Sequence, residues 1–337
     1  MSDILLISNC RLGDSLVMIP ALKMLRQRYH DAHLCLISEQ VGKDIVDAKE
    51  ILGGRNLVDE FVSLDTDASL LGRLRSRLRL FRNMRKRTWD LGMVMIPPIP
   101  PLTQRLVSRL TLYLRACGAK HIIAPARITW NDEKVSLQLA RLIQADINEN
   151  ELDFSLPSLS IPPVLPETDI PDGKRLLAVA PGANMPINVW PIVHYEAVLK
   201  RLPNDVHPIY FGGENERPLC TELAKRIPGT LFVGHPMAEV ETMLRQCACY
   251  LGNDTGLMHL AAACGLKCVA VFSQRNKSRA WEPAGNAHII FRTERLACAG
   301  CVARECPLKT SECMMHHNVE AVTNALTGLL ASGSHSS

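Results

Sequence analysis

Short runs of aliphatic residues alternate with longer amphipathic stretches along the chain, and this alternation constrains the fold more than any other feature. In the first half, such runs predict strands at 4–7, 34–37, 91–96 and 121–123. Between the first two runs, helical spacing separates the apolar residues Leu16, Ile19, Leu22 and Leu25. Strands that alternate with helices form parallel sheets, so the first half is predicted to be a Rossmann-like α/β domain.

The second half repeats the pattern after a proline-rich segment. Five prolines lie between 155 and 174, a density that excludes a central strand or continuous helix and suits a semi-rigid linker. Further strands are predicted at 176–180, 209–211, 231–233, 249–251 and 268–272, and a closing helix at 319–330. The predicted organisation is a first domain at 1–160, a linker at 161–174, a second domain at 175–330 and a disordered polar tail at 331–337.

Both predicted domains are doubly wound α/β structures, and with 337 residues, 47% of them hydrophobic, the chain can form two cores. Open α/β sheets bind ligands at the carboxyl ends of their strands. We therefore expect the two domains to face a central cleft that holds the active site.

Charge and hydropathy exclude some classes of protein. The formal net charge of +4 is too small to predict nucleic-acid binding by the molecule as a whole. The N-terminus lacks the features of a signal peptide, and no uninterrupted apolar run approaches about 18 residues. We expect a cytoplasmic protein, at most peripheral to a membrane, whose 12 cysteines are mostly reduced thiols.

Asp14 is the candidate catalytic residue of the first domain. It follows the first predicted strand, at the edge of the sheet where ligands bind. A carboxylate in this place can accept the proton of an attacking sugar hydroxyl as a general base. The structural alternative is capping, because Asp is preferred at helix N-caps and the next helix is predicted to begin near Asp14 or Ser15.

The second domain has a candidate anion site at 251–259, between a predicted strand and a helix. Unpaired N–H groups of Thr255 and Gly256, together with the helix dipole, favour a diphosphate there. The Thr255 hydroxyl can add a hydrogen bond, and His259, on the same helix face, can donate to a phosphate oxygen. A satisfied structural histidine is the alternative interpretation of His259.

Two more loops of the second domain lie at the carboxyl ends of predicted strands. Gly182 and Ala183 follow the first of these strands, and Glu216 follows the second. Glu216 can accept hydrogen bonds from a ribose diol, as acidic residues do in dinucleotide folds. Alternatively, it is a first-turn glutamate that stabilises a helix start.

Four stretches of the sequence carry a resemblance to a known family. They are Arg11-Leu12-Gly13-Asp14 with Ile19-Pro20-Ala21-Leu22, Pro181-Gly182-Ala183 with Trp190-Pro191, Gly212-Gly213 with Glu216, and the run 252–263. In these stretches the chain resembles the family 9 glycosyltransferases, typified by ADP-heptose:lipopolysaccharide heptosyltransferases, over nearly its whole length.

The resemblance implies a GT-B fold and inverting, metal-independent transfer. It places the acceptor on the N-terminal domain and the ADP-sugar on the C-terminal domain. It makes Asp14 the catalytic base. It also implies that Thr255, Gly256 and His259 bind the donor diphosphate. It also places Asp254 beside the donor sugar.

The chain departs from the family pattern at Asn188. Many members have a lysine at this position, two residues before the Trp-Pro pair. Without a metal, protein donors must stabilise the charge of the leaving group, and Arg275, Lys277 and Arg279 follow the strand 268–272. They are candidates to replace the lysine; the alternative is a solvated basic loop.

A basic run extends from Arg73 to Arg87, where eight of fifteen residues are cationic and none is acidic. It is predicted to be a helix with an apolar stripe at Leu74, Leu78, Phe81 and Met84 or Arg85. Such runs are usually solvated helix faces, but unrelieved positive charge also suits an anionic glycolipid acceptor or anionic lipid headgroups. The candidates for this contact are Arg11, Arg73, Arg77 and Arg82. Nucleic acid is not favoured, because stacking aromatic residues are scarce there.

Four cysteines cluster near the C-terminus, at Cys298, Cys301, Cys306 and Cys313. Four thiolates can hold zinc or iron tetrahedrally, although only one Cys-x2-Cys pair is present. A reduced thiol-rich loop is the alternative. A similar stretch occurs in some family 9 sequences, and relatives that glycosylate autotransporter proteins use cysteines for iron.

The sequence is thus interpreted as a glycosyltransferase that moves heptose, or a related sugar, from an ADP-sugar to an anionic lipopolysaccharide inner-core acceptor. Transfer is expected to need no cofactor. Peripheral contact with the inner-membrane surface is expected. The alternatives are a protein heptosyltransferase with a metal site made of the four cysteines, and a non-catalytic protein that binds nucleic acid or membranes.

Overall fold

The computed structural model describes residues 3–9, 11–40, 46–65, 69–99, 103–126, 128, 132–276, 279–294 and 296–332. The chain divides into two compact units, Met1–Ser160 and Ile161–Ser337. Each unit is built on one parallel β-sheet. Residues 152–174 contain neither helix nor strand.

The first unit is a doubly wound sheet. Its strands are β1 (Asp3–Ser8), β2 (His33–Gln40), β3 (Glu60–Asp65), β4 (Trp89–Val94) and β5 (Ala119–Ile123). Its helices are α1 (Leu12–Val17), α2 (Ile19–Arg28), α3 (Ala48–Leu52), α4 (Leu70–Met84), α5 (Gln104–Ala116) and α6 (Val135–Ala140). The strand order is β3-β2-β1-β4-β5, with all pairs parallel. The order therefore reverses at a switch point between β1 and β4, where such sheets bind ligands.

The second unit has the complete Rossmann order. Its strands are β6 (Arg175–Ala180), β7 (Val206–Gly212), β8 (Thr230–Val233), β9 (Cys249–Asn253), β10 (Lys267–Phe272) and β11 (Ile289–Arg292). Its helices are α7 (Ile192–Leu199), α8 (Arg217–Arg226), α9 (Met237–Leu244), α10 (Gly256–Ala263), α11 (Glu312–Met315) and α12 (Val319–Ser332). The sheet order is β11-β10-β9-β6-β7-β8, and the switch point lies between β6 and β9.

Each sheet packs its aliphatic side chains against its own helices. Leu5 and Leu114 are fully buried in the first core, and Leu251 and Trp190 in the second. This arrangement confirms the predicted α/β class, with a parallel sheet in each half of the chain.

Every strand predicted from the sequence is present, but the sequence does not predict β3 or β11. Both are edge strands, paired on one side only. The four residues of β11 are only partly buried, and polar residues interrupt the apolar ones in β3. Neither strand has the continuous aliphatic run that marks a central parallel strand, so hydropathy alone does not detect these two.

The predicted helix after β1 is two helices, α1 and α2, which meet at Met18. Pro20 has no N–H to donate back to Leu16, and the helical ladder is interrupted there. Helix α1 begins at Leu12 with Arg11 as its N-cap. The interpretation of Asp14 or Ser15 as the N-cap is therefore wrong in position, because Asp14 is the third helical residue.

The buried stripe of α4 also differs from the prediction. Leu80 and Met84 are buried, whereas Leu78 is 48% exposed. Phe81 is partly buried and packs on Tyr113 of α5, with ring centroids 6.3 Å apart. The side chain of Leu74 lies outside the described residues. The helix thus faces the core with positions 80 and 84.

Within the described residues, no helix combines the length and the apolar character needed to cross a membrane.

Candidate functional site

The candidate anion site lies at the switch point of the second sheet. Strands β6 and β9 are neighbours, with Ala180 opposite Gly252. Their carboxyl ends therefore bring the loop at Gly182 beside the loop that leads into α10. These are two of the loops that the sequence places at the carboxyl ends of strands.

Asn253 joins these two loops through its side-chain amide. Its Nδ2 donates to the carbonyl oxygens of Pro181, at 2.8 Å, and Gly182, at 3.1 Å. Its Oδ1 accepts from the Tyr195 hydroxyl at 2.9 Å and from the Trp190 backbone N–H at 3.2 Å. Asn253 is fully buried. Asn253 belongs to a sequence motif, but the motif does not indicate its role, because its partners lie 58 to 72 residues away.

Helix α10 begins directly after Asn253 and Asp254. Thr255 is its N-cap residue, in extended conformation, but the Thr255 side chain makes no capping hydrogen bond. The first N–H groups of a helix have no acceptor within the helix, and the dipole there favours negative charge. The loop through Gly256 therefore has the backbone arrangement of an anion site.

Asp254 is hydrogen-bonded by Asn188. Asn188 Nδ2 lies 3.2 Å from Asp254 Oδ2, and Asn188 Oδ1 accepts from the Ser273 hydroxyl at 2.6 Å. Burial raises the pKa of Asp254 to about 6, whereas the charges of Arg292 and Arg275 and the hydrogen bond from Asn188 act to lower it. Asn188 thus orients this carboxyl group without adding charge.

The charges of two arginines act on Asp254 and lower its pKa. Arg275 donates to the carbonyl oxygens of Ala303 and Val302 at 3.0 and 3.2 Å, which fixes its guanidinium group. Arg292 lies at the end of β11, with its guanidinium carbon 4.4 Å from the centroid of the Phe272 ring. Arg292 is not among the residues predicted from the sequence, because no apolar run predicts β11.

The structure separates the three cations proposed after β10. The charge of Arg275 acts on Asp254. Arg279 instead pairs with Glu282 at 3.0 Å, and its side chain is 66% exposed. Glu282 is buried and also pairs with Arg292 at 3.3 Å. Lys277 lies outside the described residues.

His259 lies one turn into α10 and is buried. Its ring contacts Trp281 edge to face, with centroids 6.0 Å apart. Burial, together with the charge of His288, lowers the pKa of His259 to about 4. At neutral pH the ring is therefore uncharged and can offer a hydrogen bond, but not a positive charge.

Glu216 lies against the loop after β6. A side chain at Gly182 would collide with it, since a Cβ there would lie 2.3 Å from Glu216 Oε1. Glu216 Oε2 accepts from the Gly213 N–H at 2.8 Å. This bond lowers the pKa of Glu216, but burial raises it by more. Glu216 thus stabilises a helix start, as the structural interpretation predicts. The same carboxyl group also lies close to Gly182 at the switch point. Ala183 is partly buried beside Gly182.

Asp14 lies at the switch point of the first sheet, in the first turn of α1. Burial raises the pKa of Asp14 to about 6. The charge of Arg11 and the hydrogen bond from the Arg11 backbone N–H lower this pKa, but by less than burial raises it. This bond is the one an acidic third residue makes in a capping box. Arg11 itself is exposed. Asp14 is therefore a carboxyl group that titrates close to neutral pH beside a cation.

The four clustered cysteines line one small cavity, together with Arg275, Gln274 and other residues of the segment. Backbone N–H groups, above all that of Ser311, lower the pKa of the Cys306 thiol. Within the described residues, however, no three Cys, His, Asp or Glu side chains are arranged as metal ligands. The four cysteines thus lie around one cavity, but the described residues do not form a complete metal site.

The basic run lies on α4 as predicted. Arg77 and Arg82 are exposed, and the side chain of Arg73 lies outside the described residues.

Replacement of Asn253 by Ala is expected to destabilise the second unit. The change leaves two carbonyl oxygens, one hydroxyl and one backbone N–H without their buried partner, a loss of about 3 kcal/mol or more. The thermal midpoint should fall by roughly 6–12 °C, measured by circular dichroism. Asn253→Asp should destabilise as well, because a carboxylate oxygen then faces two carbonyl oxygens. The exposed Asn204→Ala is the control, and equal midpoints for Asn204→Ala and Asn253→Ala would contradict this account.

Comparisons with known proteins agree on one family. The sequence profile of Glycosyltransferase family 9 (heptosyltransferase) matches residues 139–311. Lipooligosaccharide heptosyltransferase 2 of Campylobacter jejuni is 27% identical over 169 residues, which is 47% of this chain and 52% of that protein. The match thus spans about half the length of the curated relatives.

Solved structures share the fold over both units. A family 9 glycosyltransferase of Veillonella parvula superposes with a TM-score of 0.75 at 14% identity and covers 98% of both chains. The E. coli ADP-heptose lipopolysaccharide heptosyltransferase II gives 0.71 at 16% identity, with 98% and 99% covered. An iron-containing dodecameric glycosyltransferase from enterotoxigenic E. coli gives 0.60 at 13% identity, with 98% and 76% covered.

The doubly wound sheets have the fold of these GT-B enzymes, and the family profile covers more than half of the chain. The protein therefore belongs to glycosyltransferase family 9.

Proposed function

We propose that this protein transfers heptose, or a related sugar, from an ADP-sugar to a hydroxyl group of a lipopolysaccharide inner-core acceptor. The observation that carries the proposal is the helix start at Thr255, which lies at a switch point where the charges of two arginines act on the neighbouring Asp254. The names of the similar proteins from C. jejuni and E. coli support heptose, ADP and a lipopolysaccharide acceptor.

The second unit is proposed to bind the donor. N–H groups at the start of α10 donate to the diphosphate, and the Thr255 hydroxyl and the uncharged His259 ring add hydrogen bonds. Glu216, with Gly182 and Ala183, faces the nucleoside, and Asp254 faces the sugar.

Charge on the leaving diphosphate needs positive partners, since no metal takes part in the proposed transfer. Arg275 and Arg292 fit this role, because both influence the buried Asp254 electrostatically. Fixed charges in a partly buried site stabilise developing charge better than mobile ones, because they need no reorganisation.

The first unit is proposed to bind the acceptor, with Asp14 as general base. Asp14 takes the proton of the acceptor hydroxyl, the hydroxyl oxygen forms a bond to the anomeric carbon, and the bond to the diphosphate oxygen breaks. A single displacement of this kind inverts the anomeric configuration. A carboxyl group with a pKa of about 6 is ionised at neutral pH and is a stronger base than an ordinary aspartate.

Acceptors of this class carry carboxylates and phosphates, and Arg11, Arg77 and Arg82 are exposed cations suited to them. We propose peripheral contact with the cytoplasmic face of the inner membrane, where a glycolipid acceptor would be reached. A nucleic-acid partner is not favoured.

Asp14→Asn is the test of the proposed reaction. The variant should lose about 10²–10⁴-fold in kcat, because it has no base, while ADP-heptose still raises its thermal midpoint as it does for the wild type. Wild-type kcat should fall as pH drops through about 6, where Asp14 becomes protonated. The exposed Asp31→Asn is the matched control.

The same substitution has a stability signature. The folded-state pKa of Asp14, about 6, lies above the unfolded value of about 3.9. The folded state therefore loses stability as pH rises from about 4 to about 6, and this loss persists at higher pH. Asp14→Asn should therefore be more stable than wild type at pH 8, by on the order of 1–2 kcal/mol, and the difference should vanish near pH 4. An active Asp14→Asn variant, or one that no longer binds donor, would refute the assignment.

Arg292→Gln should weaken ADP binding by roughly ten- to a hundredfold in calorimetric titration, since a charged hydrogen-bond partner contributes about 1.5–3 kcal/mol. The buried Glu282 loses a partner in this variant, so Arg292→Gln/Glu282→Gln is included to remove the uncompensated charge. Arg279→Gln, which removes the exposed partner of Glu282, should bind ADP as the wild type does. Wild-type affinity in the folded double variant would exclude Arg292 from the donor site.

Protein glycosylation with a metal bound by the four cysteines is the alternative function; the cysteines share one cavity, although the described residues contain no complete set of metal ligands. An iron-containing glycosyltransferase is also among the proteins of the same fold. If the cysteines bind Zn²⁺ or iron, protein purified without oxygen should contain about one metal per chain by mass spectrometry, and Cys301→Ser/Cys306→Ser should contain none. Metal-free wild-type protein that keeps its fold would support the reduced thiol-rich loop instead.

A further inference from the structure

Helices α4 and α5 form one continuous layer on the first sheet. Leu80 and Met84 of α4 share a buried cluster with Val107 and Leu114 of α5. Phe81 and Tyr113 complete the contact between the helices. The two helices therefore present their remaining residues on a common outer side, here called the α4–α5 surface.

The α4–α5 surface carries cations without acidic partners. Neither helix contains Asp or Glu. The exposed arginines that form no ion pair with any described residue are Arg75, Arg79, Arg82, Arg105, Arg109 and Arg115. Arg87, just beyond α4, instead pairs with Glu60 at 2.8 Å. Six like charges on two adjacent helices repel one another unless an anionic partner is present.

Apolar side chains are interspersed among these arginines. Leu78 is 48% exposed, Leu106 39% and Leu112 67%. Leu78 lies one turn from both Arg75 and Arg82, and Leu112 lies one turn from Arg109, so each leucine shares a helix face with cations. Single exposed leucines are common, but several on one cationic surface are typical of helices that lie at a membrane interface.

We propose that the α4–α5 surface binds an anionic phospholipid bilayer, with the arginines on the headgroups and the leucines in the interface. The aromatic rings of the two helices, Phe81 and Tyr113, lie in the contact between α4 and α5 and are partly buried, so they offer little free face for stacking nucleobases. The choice of a bilayer rests on the proposed function, in which the acceptor is a glycolipid. The binding itself requires neither donor nor acceptor.

The test is sedimentation of the purified full-length chain with vesicles, without nucleotide or glycolipid. Phosphatidylethanolamine vesicles that contain phosphatidylglycerol should bind the protein, and those that contain phosphatidylcholine instead should not. Binding should weaken between about 0.1 and 1 M salt, as the Debye length falls from ~10 to ~3 Å.

Substitutions distinguish the contribution of the arginines to vesicle binding from that of the leucines. Arg105→Gln/Arg109→Gln/Arg115→Gln should weaken vesicle binding by roughly a hundredfold, at about fivefold for each cation removed. Leu112→Ser should weaken binding but leave its salt dependence unchanged. Arg201→Gln/Lys225→Gln/Lys267→Gln removes three exposed cations of the second unit and should bind as the wild type does.

Equal loss of binding in the α5 triple variant and in the second-unit control would overturn the proposal, since net charge alone would then explain it. Absence of binding to phosphatidylglycerol vesicles, or tighter retention by a DNA duplex than by these vesicles, would also overturn it. Failure of sugar transfer alone would leave the vesicle result unchanged, so the two proposals fail separately.

Discussion

The side-chain amide of Asn253 is the interaction on which the geometry of the candidate donor site depends. An amide can donate to two carbonyl oxygens and accept from two donors at once, and Asn253 does both across the switch point. It fixes the loop after β6 against the loop after β9. The start of α10 is thereby held at the place where neighbouring strands diverge and leave room for a ligand.

Each switch point also carries a buried carboxyl group, Asp14 in the first sheet and Asp254 in the second. Burial raises the pKa of both carboxyl groups to about 6. Arginines oppose this effect at each position, which keeps the carboxyl groups titratable near neutral pH. A carboxyl group with such a pKa suits proton transfer or contact with sugar hydroxyl groups, whereas a purely structural ion pair would lower the pKa.

Asn188 illustrates how a change of charge is accommodated. A lysine at this position would add a cation next to Asp254, but the asparagine donates to Asp254 and accepts from Ser273 instead. Positive charge near Asp254 then comes from Arg275 and from Arg292, which lies two strands away at the edge of the same sheet. Positive charge therefore acts on Asp254 from two other elements, while Asn188 orients its carboxyl group.

Local sequence is enough to specify the α/β class, the central strands and the glycine-containing loops at their carboxyl ends, because these depend on hydropathy and on residues adjacent in the chain. It also identifies Asp14 and Thr255 as candidates, and the resemblance to family 9 adds Asp254. What depends on distant pairing appears only in the folded chain: the edge strand β11 with Arg292, the role of Asn253 and the pairing of Arg279 with Glu282. The N-cap of α1 and the buried stripe of α4 likewise follow from packing. Contacts between residues far apart in the chain leave no periodic signal in the sequence, so the tertiary structure alone specifies them.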